Sequence, residues 1–535
     1  MNSPKIHCKV PQILRTIWMA SVFLLPSVLS SQPINLKAKR MKSMEVNGHK
    51  GQLLRGNVQF EQEGSVVYCD EAIFDPVDDV LRGTGNVKIT NTNGTKVTGD
   101  RLVYNNASKL ARVEGAVKLT DQDLEIETPW LEYQTTSRIG NYGSGAFIKD
   151  GENYLKSRVG YYDPNNKQVR FKTNVILETP DYIIQTDTLV YHTEDKVARF
   201  YRYTQINSEK EQIILFKGYY DTDKRKGYFT DGFNYTSNEQ HLMADTAIFD
   251  ETNGFGVAIG NVWLYDSSEN AQVWGNRAIY RKGLHWAQVY GNSLAVKADK
   301  DSMYIYGDTL TVWKDTVKRA QYTQALGSVR LFQKNTAATA GKLLYSSLDS
   351  TIRLREKPVV WDSASRLSGD SINFQIEQKK LRYGSLFYHA LIVMKEDSSH
   401  YSQIQGDSVF YQMDTQQRIE KSWVYRKGKS VYYIRENNEV TSAVSVESEH
   451  MKFAFNQNQI DKVHFYIKPK GAVYPLDQLP DDKRNLERFV WDIQNKPSKL
   501  NQSTPFTPNY IETRYKKIPS IQPQKEEKSF FRFWK

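Results

Sequence analysis

An aspartate returns at a nearly fixed interval along this chain of 535 residues: Asp70, Asp100, Asp187, Asp245, Asp308, Asp370 and Asp407, with Asn276 in one slot of the series. Carboxylates held in pairs are the machinery of glycoside hydrolysis, one as acid and one as base or nucleophile. An active site is singular, however, and these residues recur once per interval, several behind a glycine (Gly99, Gly307, Gly369, Gly406). Pro129, Arg158, Phe216, Gly341 and Glu449 take the remaining slots, so no acid is obligatory there. The reading that follows is a strand-start residue whose short side chain satisfies turn backbone groups, not a catalyst. His49, His192, His241, His285, His389, His400, His450 and His464 are scattered without ligand spacing, and no phosphate loop or nucleophile elbow is present. Neither a metal nor a cofactor is expected, and neither is enzymatic activity.

The elements that must position these residues are themselves periodic. Four residues after the aspartate slot stands an aromatic: Phe74, Tyr104, Tyr133, Tyr162, Tyr191, Tyr220 and Phe249, continuing through Tyr280, Val312, Tyr345, Phe374, Tyr411 and Phe453. The early intervals are about 29 residues and the last two widen to 37 and 42, which suggests inserted loops. A second signature lies half a unit away, in "LRGNVQF", "GTGNVKIT", "VEGAVKLT", "AIGNVWLY" and "ALGSVRLF". Self-similarity at this length marks a stacked repeat. Alternation within each half-unit (Asp100, Leu102 and Tyr104 against Arg101 and Val103; Val113, Val117 and Leu119 against Arg112 and Lys118) is that of strands with one apolar face. Turn chemistry such as "YNNASK", "YYDPNNK" and "DETNGF" separates them. About thirteen units, each advancing one or two ladder spacings, predict a rod on the order of 60 to 120 Å long with open sheet ends.

Composition agrees. Only 39% of residues are apolar and the mean hydropathy is -0.61, yet 12% are aromatic, led by 33 Tyr. That suits many half-buried strands and excludes a bundle of membrane helices. Residues 1–31, with Lys5, Lys9, Arg15 and the run "TIWMASVFLLPSVLSSQ", read as a secretory signal. Its removal takes Cys8 and lowers the formal charge from +11 to about +8, leaving Cys69 alone and no internal disulfide. An exported chain argues against nucleic acid as partner; a basic balance suits anionic lipids or simple solubility. Residues 471–535 change texture: a short helix capped by Asp481 or Asp482, with Leu486, Phe489 and Val490 on one side, then a basic Pro-rich tail read as disordered.

The feature able to carry function is the apolar face itself. It forms either a dry seam or an open groove that takes acyl chains, with Phe74, Leu102, Tyr104, Val117, Leu119, Leu189, Tyr191, Phe249, Val262 and Leu264 as candidate lining. In a groove, neighbouring rungs would be nearly equivalent, and burial worth ~0.8 kcal/mol per methylene would hold a chain without fixing its register.

The stretch "GDRLVYNNASKLARVEGAVKLT" and its copies resemble the OstA/LptA family of periplasmic lipopolysaccharide-transport domains. The pattern is carried by Gly99, Asp100, Tyr104, Gly115 and Val117. It returns in Asp70, Phe74, Gly85, Asn86 and Val87, and in Asp245, Phe249, Gly260, Asn261 and Val262. The best match spans residues 32–265, and divergent copies fill residues 266–470. The resemblance implies an all-β, elongated, semi-open, V-shaped β-jellyroll whose inside carries lipid A acyl chains. It implies as partners lipopolysaccharide, an inner-membrane extraction complex, the outer-membrane assembly barrel and further copies stacked end to end. It also implies a periplasmic location, with association with the outer membrane as a further expectation. The runner-up is a structural β-solenoid spacer or adhesin-like envelope protein with a dry core.

Overall fold

In the computed structural model the described residues are 35–497. Positions 63–64, 92–93, 122–123, 135–136, 138, 164, 193, 299, 301, 379, 417, 438 and 457–458 fall outside the description. The signal segment and the tail beyond residue 497 therefore lie outside it too. The fold is all-β: 36 strands among the described residues form one sheet, and every pairing is antiparallel and joins near neighbours in sequence. The sheet crosses residues 265–266 without interruption, since Phe255–Asp266 pairs with Ala271–Arg281.

Each repeat contributes two strands, typified by Lys96–Asn105 and Leu110–Asp121. Their pairing slips between Thr98 and Arg101, and the pairing of the second strand with Leu124–Gln134 slips between Glu114 and Val117. The slip is a corner. Two successive left-handed residues turn the strand there, Gly115 (φ 79°) with Ala116 (φ 39°), and likewise Gly85 with Asn86, Gly260 with Asn261 and Gly327 with Ser328. A bulge of this kind bends a strand sharply. Each bent strand thus serves two walls, and the second sequence signature is the bend.

Burial shows what the bend achieves. Leu155, Leu177, Leu189 and Tyr191 are 0–1% exposed, although among the described residues no second sheet or helix layer lies over their face. The cover is the other half of the same strands, which fold toward each other around a shared interior.

Three expectations change. Asp100 does not start a strand: it stands mid-strand at the corner and is exposed, while Leu102 and Tyr104 point inward. The slip removes it from their face. The widened intervals at the C-terminal end are not chiefly inserted loops; the residues lengthen strands, as in Lys380–Lys395, Ile419–Glu436 and Glu439–Asn456. The C-terminal helix is only the single turn Asp481–Arg484, behind Pro480 and without a side-chain cap. Leu486 and Phe489 follow it in a strap across the outer face of the sheet, where apolar partners are available that a lone short helix lacks.

Candidate functional site: the apolar interior

The aromatic series becomes one physical row. Following the ladder partners from strand to strand gives Phe74, Leu81, Tyr104, Ala111, Tyr133, Gly140, Tyr162, Val169, Tyr191, Ala198, Tyr220, Gly227, Phe249, Gly256 and Tyr280. Large residues alternate with small ones because each ring lies over the strand beside it. A Cβ on Gly227 would sit 2.3 Å from the Phe249 ring, and one on Gly384 2.0 Å from Tyr411. The row is therefore stacked large on small, and Tyr220, Phe229 and Phe249 pack ring to ring at 5.5–5.9 Å.

The facing wall carries a second row that periodicity of aromatics could not reveal, because it is aliphatic except at Tyr235. It includes Ile89, Val97, Leu119, Ile126, Ile148, Leu155, Leu177, Ile184, Ile206, Ile213, Tyr235, Leu242, Leu264, Val273, Ala295, Ile305, Leu331, Ala338 and Val360, each in register with the next.

Exposure along the rows is uneven. Ile148 through Tyr235 are at most 6% exposed on the aliphatic wall, opposite Val169, Tyr191, Ala198 and Tyr220 at 0–5%. From Leu242 to Leu331 the aliphatic row is half-buried, and so is the facing row from Phe249, which continues past Tyr280 through Ala287, Val312, Thr323 and Tyr345 to Ile352. A shorter half-open stretch runs from Ile89 to Ile126, opposite Ala111, Tyr133 and Tyr162. The interior thus has two windows, separated by a sealed neck and followed by a sealed C-terminal portion. The rungs are not equivalent. Side-chain size explains the second window in part, since its buried residues are Ala244, Ala258, Val262, Ala278 and Val289, mostly too small to close the gap.

Of the candidate lining residues, Phe74, Leu119, Phe249 and Leu264 are half-buried. Leu102, Tyr104, Val117, Leu189, Tyr191 and Val262 are buried at 0–6%. Tyr191 and Leu189 belong to the neck. Missed altogether were Val273, Ala295, Ile305 and Leu331, whose unit lacks a strong aromatic rung at Val312.

The aspartates have another occupation. At the corner the Asp70 carboxylate accepts from the Asn86 amide at 2.8 Å, and Asp245 from Asn261 at 2.7 Å. A Cβ on Gly85 would lie 2.5 Å from Asp70 Oδ2, and on Gly260 2.5 Å from Asp245 Oδ2. Where the corner is Tyr388–His389 instead, His389 Nδ1 meets Asp370 at 3.0 Å. A separate set follows the aromatic rung: Asp163 Oδ1 receives the Asn165 and Asn166 backbone N–H groups, and Asp221 Oδ1 those of Asp223 and Lys224. Burial acts to raise these two carboxyls, and the turn hydrogen bonds outweigh it, leaving both below the ordinary aspartate range. Burial pushes the Cys69 thiol up to about 11, so it stays protonated and inert. Among the described residues no group of three or more His, Cys, Asp or Glu side chains is placed to hold a metal, and no helix is long and apolar enough to cross a membrane.

Comparison with known proteins adds the decisive observation. A family model described as OstA-like protein matches residues 33–187, and one described as LptA/(LptD N-terminal domain) LPS transport protein matches residues 289–380. Over these two stretches the chain is similar to the OstA/LptA family. Among solved structures it is similar to LptH of Pseudomonas aeruginosa, the LptA-homologous periplasmic component of a lipopolysaccharide transport device. That match has 17% identity, covers 22% of this chain and 82% of that one, and has a TM-score of 0.20. No curated protein matches. Among the described residues the strands continue well past both matched stretches.

Proposed function

We propose that this protein is a non-catalytic periplasmic carrier or bridge for lipopolysaccharide, which holds lipid acyl chains between its two apolar rows on the way to outer-membrane assembly. The carrying observation is the pair of in-register rows, aromatic on one wall and aliphatic on the other, half-open over Leu242–Leu331 and Phe249–Ile352. A methylene leaving water for such a surface gains ~0.8 kcal/mol, so a fourteen-carbon chain is held firmly without a polar anchor. The family-model matches support the same reading: the OstA-like match contains the first window and the LPS-transport match overlaps the second. Inner-membrane extraction and outer-membrane barrel complexes are the partners that this reading requires, and stacking on further copies at the open sheet ends fits it.

Acyl chains occupy the windows first, through Phe74, Leu119, Phe249 and Leu264 together with Val273, Ile305 and Leu331. Passage along the whole molecule needs the neck at Leu155, Leu177, Leu189 and Tyr191 to part. Leu102, Tyr104, Val117 and Val262 form the floor behind the half-open rungs.

Site-specific photo-crosslinking in cells tests this. Probes at Leu264, Val273 and Ile305 are expected to label lipopolysaccharide at least fivefold more than probes at the outward Arg277 or Gln288, with Leu155 and Tyr191 between. Equal labelling of inward and outward positions would mean that the interior is a dry seam and the chain a spacer.

A further inference from the structure

The strap and the outer face beneath it lie in one register row. On the outside of the aliphatic wall the ladder runs Val431, Gln403, Val393, Arg366, Trp361, Ala337, Phe332, Tyr304, Val296, Gln272, Tyr265, His241. Residues 479–496 travel along its first half against the order of the strands. Leu479 packs on Val431, Tyr433 and Ala443. Gln403 then holds Arg484 O at 3.0 Å and the Leu486 N–H at 2.8 Å. Phe489 and Trp491 meet the Tyr401 ring at 5.5 and 5.2 Å, Asp492 receives Arg366 Nε at 2.6 Å and Trp361 Nε1 at 3.1 Å, and Lys496 Nζ reaches Asp362 O at 3.0 Å.

Burial on this outer row changes where the strap stops. Val431, Gln403, Val393, Arg366, Trp361 and Ala337 are at most 7% exposed, and from Phe332 to His241 every residue is half-buried. The row nevertheless stays apolar and aromatic: Phe332 packs on Tyr304 at 6.2 Å, and Tyr265 stacks on Trp263 at 6.2 Å and on His241 at 5.8 Å. One row nearer the corner, Leu294 is only 1% exposed between Trp274 and Tyr306, a degree of burial that an outer-face position does not by itself provide.

We propose that residues 498–510, immediately after the strap, continue along this row and dock Phe506 against the Tyr265–Trp263 stack. The occupant follows from where the strap ends. Lys496 sits beside the Asn335 and Asp362 carbonyls, at the turn next to Ala337 and Phe332, heading toward Tyr304, and 38 residues remain (535 − 497 = 38). From Phe332 to Tyr265 is four ladder steps, about 20 Å, which about six extended residues span. Phe506 is ten residues past Lys496 and within reach. Pro497, Pro505 and Pro508 lack the backbone N–H that ladder pairing needs, so the proposed contact is one of side chains rather than of backbone.

Single cysteines report it, because Cys69 is buried and unreactive. In a chain carrying Cys8→Ser, Phe332→Cys or Tyr265→Cys is expected to react with a maleimide at least tenfold faster when the chain ends at Pro497 than when it is full length. Phe506→Ala in the full chain should give part of that increase at Tyr265→Cys. Tyr228→Cys, on the other wall, should react equally in both. Equal rates at residues 265 and 332 in the two chains overturn the proposal, as does an equal rise at residue 228, which would mean general loosening. Protection that grows with protein concentration also overturns it, since the cover would then come from a second copy.

Discussion

At the scale of single residues the corner is the most constrained place in the repeat. Gly85 has φ 76° and no room for a Cβ against Asp70 Oδ2, while the Asn86 amide donates to that same carboxylate. Gly85→Ala therefore meets two obstacles, a left-handed backbone and a carboxylate, and is expected to cost about 2 kcal/mol in urea unfolding. In an Asp70→Ala background the cost should fall by about half, since only the backbone part remains. An unchanged cost would show that the carboxylate plays no part in the demand for glycine. This pairing was half legible in the sequence. The recurrence of Asp100 pointed to a structural position, but parity alone assigned it to the face of Leu102 and Tyr104, because alternation counts residues and cannot see the slip that a two-residue corner introduces.

Among the elements, the strap is the one that local pattern misjudged. Leu486, Phe489 and Val490 have helical spacing, yet Pro480 and the extended Asn485 leave one helical turn, and the aromatic residues find Tyr401 instead. Its anchor is the Asp492–Arg366 pair, whose side chains are 20% and 8% exposed. Asp492→Ala leaves the guanidinium buried without its partner, and about 3 kcal/mol of strap attachment should be lost. The same pair makes attachment sensitive to acid. Burial acts to raise the Asp492 carboxyl, but the hydrogen bonds from Arg366 and Trp361 prevail, so its folded value lies below the ordinary one near ~3.9. Stabilisation is then complete above that ordinary value and disappears as the pH falls through the lower folded value. Trp491 fluorescence is expected to report strap release only below about pH 4, before the ladder itself melts. Release centred near neutrality would contradict this account. The strands, by contrast, were plain in the sequence, because each strand of the middle repeats buries one face and turn chemistry closes it; what could not be read was how open the interior is, since exposure depends on how far the two walls approach.

For the molecule as a whole, modularity is testable. Tyr191 and Tyr220 occupy equivalent places on one row, 29 residues apart, so deleting residues 188–216 joins Asp187 to Lys217 and should keep both rows in register. The shortened chain is expected to retain its strand content and to melt within a few degrees of the parent by circular dichroism. Deleting half as many residues, which leaves one strand with no return, should give an unfolded or aggregated chain. The strap also bears on the order in which the protein is made. Nearly all strand pairings join segments close together in sequence, so a chain emerging N-terminus first can build its sheet strand by strand without waiting for distant parts. The strap's bonds are different, spanning 131 residues from Trp361 to Asp492 and 161 from Asn335 to Lys496. They cannot form until synthesis is nearly complete and the strands beneath are correctly registered. A strap in place is therefore a mark that the C-terminal half has finished folding, and a chain that stalls or slips by one repeat would be left with its last outer row bare.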